Sequence, residues 1–269
     1  MSDDLVPAEG PVADARIAYG AHASQFGDLY LPRDGGLHPV VVAIHGGFWR
    51  DRYDLTHLGF LCAALAGEGF AVWSLEYRRL GEAGGGWPGT FEDVATGAAH
   101  VTALADRHRL DLTRIVTLGH SAGGQLALWL GALHRQPLAS PFFKLPRVPI
   151  RGVVALAAVS DLREGDRRAL SDGVVSEFLG GSPADVPARY ALTSPAELLP
   201  LGTPHILVHG DEDDTVPFAL SERHADQATL LGDRTSLIRL RGAGHFEPIL
   251  PDSVAWPQVL AAVRKLSGR

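Results

Sequence analysis

The sequence predicts an α/β fold with a mostly parallel, doubly wound sheet and an antiparallel N-terminal edge. Short apolar runs alternate with helix-length segments along most of the 269 residues. Most of the later runs are apolar on both faces, which is typical of parallel strands covered by helices. The composition agrees, because 46% hydrophobic and 20% charged residues are enough for a sizeable core.

The order of the predicted elements indicates which strands of the sheet are antiparallel and which are parallel. Segments 16–19 and 26–31 follow each other without a helix, so we expect an antiparallel pair. The remaining strands alternate with helices and should be parallel. These predicted strands are 40–44, 71–75, 115–119, 152–157, 205–209 and 236–240, and the predicted helices are 54–68, 90–109, 122–133, 219–231 and 253–266.

Two segments interrupt this alternation. Segment 136–150 contains four prolines, so it cannot form a regular helix or a central strand. Segment 160–200 is long and mixed, and we predict a small cap-like excursion over the sheet with a short helix near 174–179. Because no repeat or linker divides the sequence, we predict one domain, residues 1–269.

Composition and charge exclude several classes of function. A net charge of -7 without any cluster of basic residues argues against nucleic acid as the main partner. The sole cysteine, Cys62, lies in an apolar helical stretch and is expected in the core. Residues 1–5 lack the features of a signal peptide, and no apolar run reaches membrane-spanning length, so we expect a cytoplasmic protein without membrane contact. No metal or nucleotide motif is present, so neither a metal nor a cofactor is expected.

The motif Gly-His-Ser-Ala-Gly at 119–123 carries the strongest chemical signal. It stands between a predicted strand and a predicted helix, which is the setting of a nucleophile elbow. Glycines on both sides allow the sharp turn and leave room around the serine oxygen. The sequence therefore predicts that Ser121 attacks a carbonyl group. The alternative interpretation is a serine that caps the following helix.

Two adjacent glycines, Gly46 and Gly47, directly follow the predicted strand 40–44. Their backbone N–H groups are unobstructed and, with that of Ala122, are candidates to bind the oxyanion of a tetrahedral intermediate. The alternative is an ordinary glycine turn between a strand and a helix.

An acid and a base are expected on two later loops. The loop 209–217 begins at the end of a predicted strand and carries four carboxylates, each a candidate to orient a histidine; they are Asp211, Glu212, Asp213 and Asp214. His245 lies on the glycine-rich loop 242–246 and follows Ser121 and these acids in the order Ser, Asp, His. We therefore predict His245 as the base. Three other histidines at strand ends, His45, His120 and His209, are expected to make structural hydrogen bonds.

Together these segments resemble the α/β-hydrolase superfamily, in particular its H-G-G-x-W branch of small bacterial esterases and kynurenine-formamidase-like enzymes. The matching segments lie between Tyr19 and the C terminus; they are 45–49, 76–78, 119–124, 209–217 and 242–246. The resemblance implies a triad of Ser121, Asp213 and His245, because residues 209–217 match the pattern H-G-x-x-D-x-x-V-P at Asp213. It also implies oxyanion donors at Gly46, Gly47 and Ala122.

These observations predict a serine hydrolase that cleaves small carboxylic esters through an acyl-serine intermediate. An alternative is an N-formyl amide hydrolase of the arylformamidase type, because H-G-G-x-W occurs in both kinds of enzyme. A second alternative is a binding protein without catalysis on the same fold. The expected partner is a small ester or amide. From their positions, four aromatic residues are candidates for the pocket wall: Phe48, Trp49, Trp87 and Phe246.

Overall fold

Eight strands form one sheet in residues 10–269, the part of the chain that the computed structural model describes. In chain order the strands are β1 (Ala15–Ala18), β2 (Phe26–Tyr30), β3 (His38–Ile44), β4 (Ala71–Leu75), β5 (Leu110–His120), β6 (Ile150–Leu156), β7 (His205–Gly210) and β8 (Thr235–Leu240). Their spatial order is β1-β2-β4-β3-β5-β6-β7-β8. β1 pairs with β2 and β2 with β4 in antiparallel fashion, and the other pairs are parallel. The predicted fold class is confirmed.

Helices cover both faces of this sheet. In β3, Val40, Val42 and Ile44 enter one apolar cluster, whereas Val41 and Ala43 enter the other. This period of two is that of a strand buried on both faces. The helices are α1 (Gly59–Gly67), α2 (Gly89–Ala99), α3 (Val101–His108), α4 (Ala122–Gly131), α5 (Leu162–Arg167), α6 (Leu170–Leu179), α7 (Pro187–Thr193), α8 (Ala219–Leu230) and α9 (Trp256–Ser267).

The prediction of a single helix over 90–109 is wrong, because α2 and α3 meet at His100. Arg109 ends α3 in the left-handed conformation, with φ 54° and ψ 48°. The predicted helix 54–68 begins as a 3-10 helix at Leu55–Leu58 before α1. Cys62 is fully buried in α1, as expected, and burial raises the pKa of its thiol to about 12.

The excursion at 160–200 is more helical than expected, since it contains α5, α6 and α7 and not one short helix. Segment 136–150 forms turns up to the start of β6, in agreement with its prolines. The assignment of the whole chain to one domain stays a prediction, and the expectation for residues 1–5 lies outside the described residues. Among residues 10–269, no helix has the length and apolarity that crossing a membrane requires.

The candidate site lies at one edge of the sheet. β3, β5, β7 and β8 are mutually parallel through the sheet, so their C-terminal ends meet at that edge. The four segments with chemical motifs follow these four strand ends directly. The topology therefore collects residues that are far apart in the sequence.

Candidate active site

Ser121 stands in a strained turn between β5 and α4. Its φ of 57° and ψ of -119° lie outside the regions that L residues normally occupy. Hydrogen bonds on both sides hold it there: its N–H donates to Leu156 O at 2.8 Å, and its carbonyl accepts from Gln125 N at 3.2 Å. This is the geometry that a nucleophile elbow requires.

Close backbone contacts explain the glycines around the serine. A Cβ on Gly119 would collide with the carbonyl of Gly123, and a Cβ on Gly123 would collide with the carbonyl of Ile44. Backbone atoms cannot move aside as a flexible side chain can. The turn is therefore restricted to glycine at both positions.

The loop after β3 lies directly against the elbow. A Cβ on Gly46 would lie 2.9 Å from His120 O and 3.0 Å from the Ser121 Cβ. Gly47 follows with φ 100°, and Phe48 and Trp49 also have positive φ values of 51° and 57°. Residues 46–49, which we call the oxyanion loop after the role predicted from the sequence, are thus held in a strained conformation beside the serine.

Asp213 is held by four hydrogen bonds. Its Oδ2 accepts from His245 Nδ1 at 2.7 Å and from His209 Nε2 at 3.0 Å. Its Oδ1 accepts from the N–H groups of Thr215 at 2.9 Å and Val216 at 2.8 Å. Burial alone would raise the pKa of Asp213, but the hydrogen bonds and charges of the two histidines bring it below its usual range. The carboxylate is therefore an anion that faces the His245 ring.

The neighbouring acids face other partners. Asp211 forms an ion pair with Arg239 at 2.9 Å and accepts from Gly242 N at 2.7 Å. Asp214 accepts from the Thr215 hydroxyl at 3.2 Å. Glu212 is exposed. Of the four acids, Asp213 is the one that the structure brings to His245.

Within residues 10–269, no hydrogen bond joins Ser121 Oγ to the His245 ring. The ring uses Nδ1 for Asp213, which leaves Nε2 for a proton transfer. Contacts between catalytic groups are often longer in structures without a substrate than in the reacting complex. A direct contact between Ser121 and His245 therefore stays a prediction.

The other histidines at strand ends make buried hydrogen bonds, as expected. His45 contacts Glu76 Oε1 at 3.0 Å and Gly46 O at 2.8 Å, and its ring stacks on Tyr77. His209 Nδ1 accepts from the Ser221 hydroxyl at 2.7 Å. Sequence reasoning gave Glu76 no role, although its position directly after β4 at the same sheet edge was a signal.

The four predicted wall residues differ in their exposure. Phe48 and Trp87 are half-buried, and Phe246 is buried with its ring 5.1 Å from the His245 ring. Trp49 is fully buried; its ring stacks on Phe178 at 4.4 Å. A substrate contact of these residues stays a prediction.

No group of three or more His, Cys, Asp or Glu residues is arranged to hold a metal ion in the part of the chain that the structure describes. The expectation that the protein uses no metal and no cofactor stays a prediction.

Several relatives in sequence are plant proteins described as methylesterases. The chain is 25% identical over 247 residues to a probable isoprenylcysteine alpha-carbonyl methylesterase from Oryza sativa, covering 88% of this chain and 58% of the relative. It is 27% identical over 255 residues to an isoprenylcysteine alpha-carbonyl methylesterase from Arabidopsis thaliana, covering 88% and 57%. The chain thus spans less than two thirds of the length of these relatives.

Solved structures show the same fold. A truncated carbohydrate esterase from gut microbiota superposes with a TM-score of 0.79 at 21% identity, covering 97% of this chain and 100% of that one. Esterase B from Lactobacillus rhamnosis has a TM-score of 0.80 at 19% identity, covering 98% and 89%. Esterase 2 from Thermogutta terrifontis, phosphonylated by sarin, has a TM-score of 0.76 at 22% identity, covering 96% and 95%. At such identities the likeness concerns the fold.

The family assignment comes from the sequence. The BD-FAE family model matches residues 27–227, about three quarters of the 269 residues. The matched range includes Ser121, Asp213 and the oxyanion loop, and His245 follows it. The chain therefore belongs to the BD-FAE family of α/β-hydrolases.

Proposed function

We propose that the protein is an esterase that hydrolyses small carboxylic esters through an acyl-serine intermediate. The observation that carries this proposal is the 2.7 Å hydrogen bond from His245 to a buried Asp213, at the sheet edge where Ser121 and Gly46 also lie. A buried carboxylate on Nδ1 fixes the tautomer of the imidazole and stabilises the imidazolium that forms during the reaction.

The reaction follows from the roles of these groups. Ser121 Oγ forms a bond to the ester carbonyl carbon while His245 Nε2 takes the hydroxyl proton. The N–H groups of Gly46 or Gly47 and of Ala122 bind the resulting oxyanion. When the carbon–oxygen bond of the ester breaks, His245 returns its proton to the leaving alcohol. Water then attacks the acyl-serine by the same route, which releases the acid and restores Ser121.

The relatives support an ester over a formamide. The plant proteins are described as methylesterases, and the structural neighbours are described as esterases. The phosphonylated neighbour supports covalent chemistry in this fold. The N-formyl amide hydrolase remains the competing proposal, because the motif at 45–49 fits it equally well.

The decisive experiment compares the wild type with Ser121→Ala on p-nitrophenyl acetate, p-nitrophenyl butyrate and N-formylkynurenine. Without the nucleophile, turnover should fall by about 10⁴-fold or more. A fluorophosphonate probe should label the wild type at one serine per chain and leave Ser121→Ala unlabelled. Ser182→Ala is the matched control, because this exposed hydroxyl donates to Asp185 and has no part in the proposed reaction.

Each outcome separates the proposals. Ester turnover that is lost only in Ser121→Ala supports the esterase. Formamide turnover well above ester turnover would favour the N-formyl amide hydrolase over the esterase. Ester hydrolysis at an unchanged rate in Ser121→Ala would show that the proposed nucleophile is wrong.

A further inference from the structure

Three histidines form a hydrogen-bonded chain that ends at the backbone of the proposed base. His57 lies on the 3-10 helix Leu55–Leu58, and its Nε2 lies 2.7 Å from His120 Nδ1. His120 Nε2 lies 2.9 Å from the backbone carbonyl oxygen of His245. The rings also pack together, with centroid distances of 4.9 Å for His57 and His120 and 4.6 Å for His120 and His245.

The carbonyl oxygen at the end of the chain fixes where the protons lie. A carbonyl oxygen can only accept, so His120 Nε2 carries a proton and donates it. Burial and the neighbouring histidines lower the pKa of His120 and of His57, so both rings are neutral. His120 Nδ1 is then the acceptor, and His57 Nε2 is the donor.

This geometry rules out two other roles for the cluster. A proton relay would have to reach the His245 ring, but the chain ends on its backbone oxygen. A metal ion would hold two ligand nitrogens roughly 3.3 Å apart at a tetrahedral angle. The 2.7 Å between His57 and His120 is instead the length of an N–H···N hydrogen bond.

We propose that His120 and His57 are positioning residues that fix the backbone of the base His245 relative to the nucleophile. This inference rests on the proposed function. Asp213 holds the His245 ring at Nδ1, and His120 holds the same residue at its carbonyl oxygen. Because His120 directly precedes Ser121, the second bond ties the base to the elbow itself. Neighbouring residues of this loop are held by Asp211 and Glu247, but the bond from His120 acts on the base itself. Because a displacement of about 1 Å can cost about 100-fold in rate, we expect this contact to affect turnover.

The test measures kcat per active site in variants of His120. His120→Phe keeps a buried ring but leaves His245 O without its donor, so we expect kcat to fall about 10- to 100-fold. KM should stay within about twofold, because the substrate contacts are intact. His120→Gln retains a side-chain N–H for His245 O and should recover most of the loss. Titration with a fluorophosphonate counts the competent sites, so that misfolded protein does not lower the measured kcat per site.

A second pair of variants keeps the proposal testable if His120→Phe does not fold. His57→Phe should be tolerated, because a phenyl ring keeps the packing of this side chain on His120 and Phe246. It removes the donor to His120, and we expect a loss of about 3- to 10-fold in kcat, restored by His57→Gln. The control is His134→Phe, an exposed position whose ring hydrogen-bonds to Gly131 O of its own turn, and it should leave kcat unchanged.

The possible results are distinct. Fewer titratable sites with an unchanged kcat per site would mean a purely structural role and would overturn the inference, as would equal losses in His120→Phe and His120→Gln. If His120→Phe does not fold, an unchanged kcat in His57→Phe overturns it. If the wild type fails to hydrolyse esters, or if Ser121→Ala retains activity, the proposed function fails, and that result does not depend on the histidine variants.

Discussion

At Gly46 the absence of a single carbon atom decides the distance between the oxyanion loop and the nucleophile. In Gly46→Ala the new Cβ would lie 2.9 Å from His120 O and 3.0 Å from the Ser121 Cβ, closer than ordinary contact. The loop must move away from the serine and take its backbone N–H groups, the proposed oxyanion donors, with it. We expect kcat/KM for a p-nitrophenyl ester to fall by about 10²- to 10³-fold, the effect of losing one oxyanion donor.

Gly67→Ala is the matched control, because a Cβ on Gly67 at the end of α1 meets no atom within 4 Å. Alanine also suits a helix better than glycine, so this variant should keep full activity and equal or higher thermal stability. If both alanine variants were equally active, Gly46 would not position a catalytic group.

Single residues of the site differ in how far the sequence predicts them. Ser121 lies in a local motif whose strand and helix are visible in the sequence. The choice of Asp213 needed the family resemblance, because the sequence alone does not distinguish the four adjacent acids. In the structure, the backbone N–H groups of Thr215 and Val216 hold the Asp213 carboxylate in place. The contact of His120 with His245 spans 125 residues and depends on tertiary structure alone.

At the level of elements, the helix α6 of the excursion 160–200, which we call the cap, packs on the oxyanion loop. Phe178 of α6 stacks on Trp49 with an interplanar angle of 7°. Trp49 Nε1 also donates to Gln125 Oε1 at 3.2 Å, and Arg50 forms an ion pair with Glu177 at 3.0 Å. The loop with positive φ values is thus held between α4 and the cap, which offsets the strain of its backbone.

Phe178→Ala tests this connection between the cap and the oxyanion loop. Deleting a fully buried phenylalanine typically costs about 3–5 kcal/mol of the free energy of unfolding. Because Trp49 also loses its stacking partner, we expect kcat/KM to fall about tenfold or more in the folded protein. Urea unfolding and ester kinetics measure the two effects separately.

Phe70→Ala removes the same volume from the apolar core at the N-terminal end of β4, the sheet edge opposite the candidate site. It should lose similar stability and keep its kcat/KM. Equal losses of kcat/KM in both variants would show that the cap acts on stability alone.

The sequence predicts the buried strands of the sheet better than the short helices of the excursion 160–200. Buried strands such as β4 are found at their observed bounds, because a short apolar run between polar turns is a strong signal. The cap is different, since Ala169, Ser171 and Asp172 adopt positive φ values that these residue types do not signal. The packing of α6 on the oxyanion loop through Phe178 is a tertiary contact that no local pattern reports.

At the scale of the whole molecule, the apolar core also buries ionisable groups, which links stability to pH. His224 of α8 is almost completely buried, and burial together with His205 lowers its pKa to about 3. In the unfolded chain a histidine has a pKa of about 6.5. At pH values between about 3 and about 6.5, His224 binds a proton in the unfolded state but not in the folded state. The free energy of unfolding therefore falls as the pH decreases from about 6.5 toward about 3.

His224→Leu removes this pH-dependent contribution to stability and keeps a side chain of similar size, now apolar, in the core. From pH 7 to pH 5 we expect the wild type to lose about 2 kcal/mol more of its free energy of unfolding than the variant, as measured by urea unfolding at each pH. His134→Leu changes an exposed histidine and should follow the wild type. Parallel curves for the wild type and His224→Leu would mean that His224 already binds a proton in the folded state. Its position between β7 and α8 would then have to admit water or an anion, which this packing does not provide.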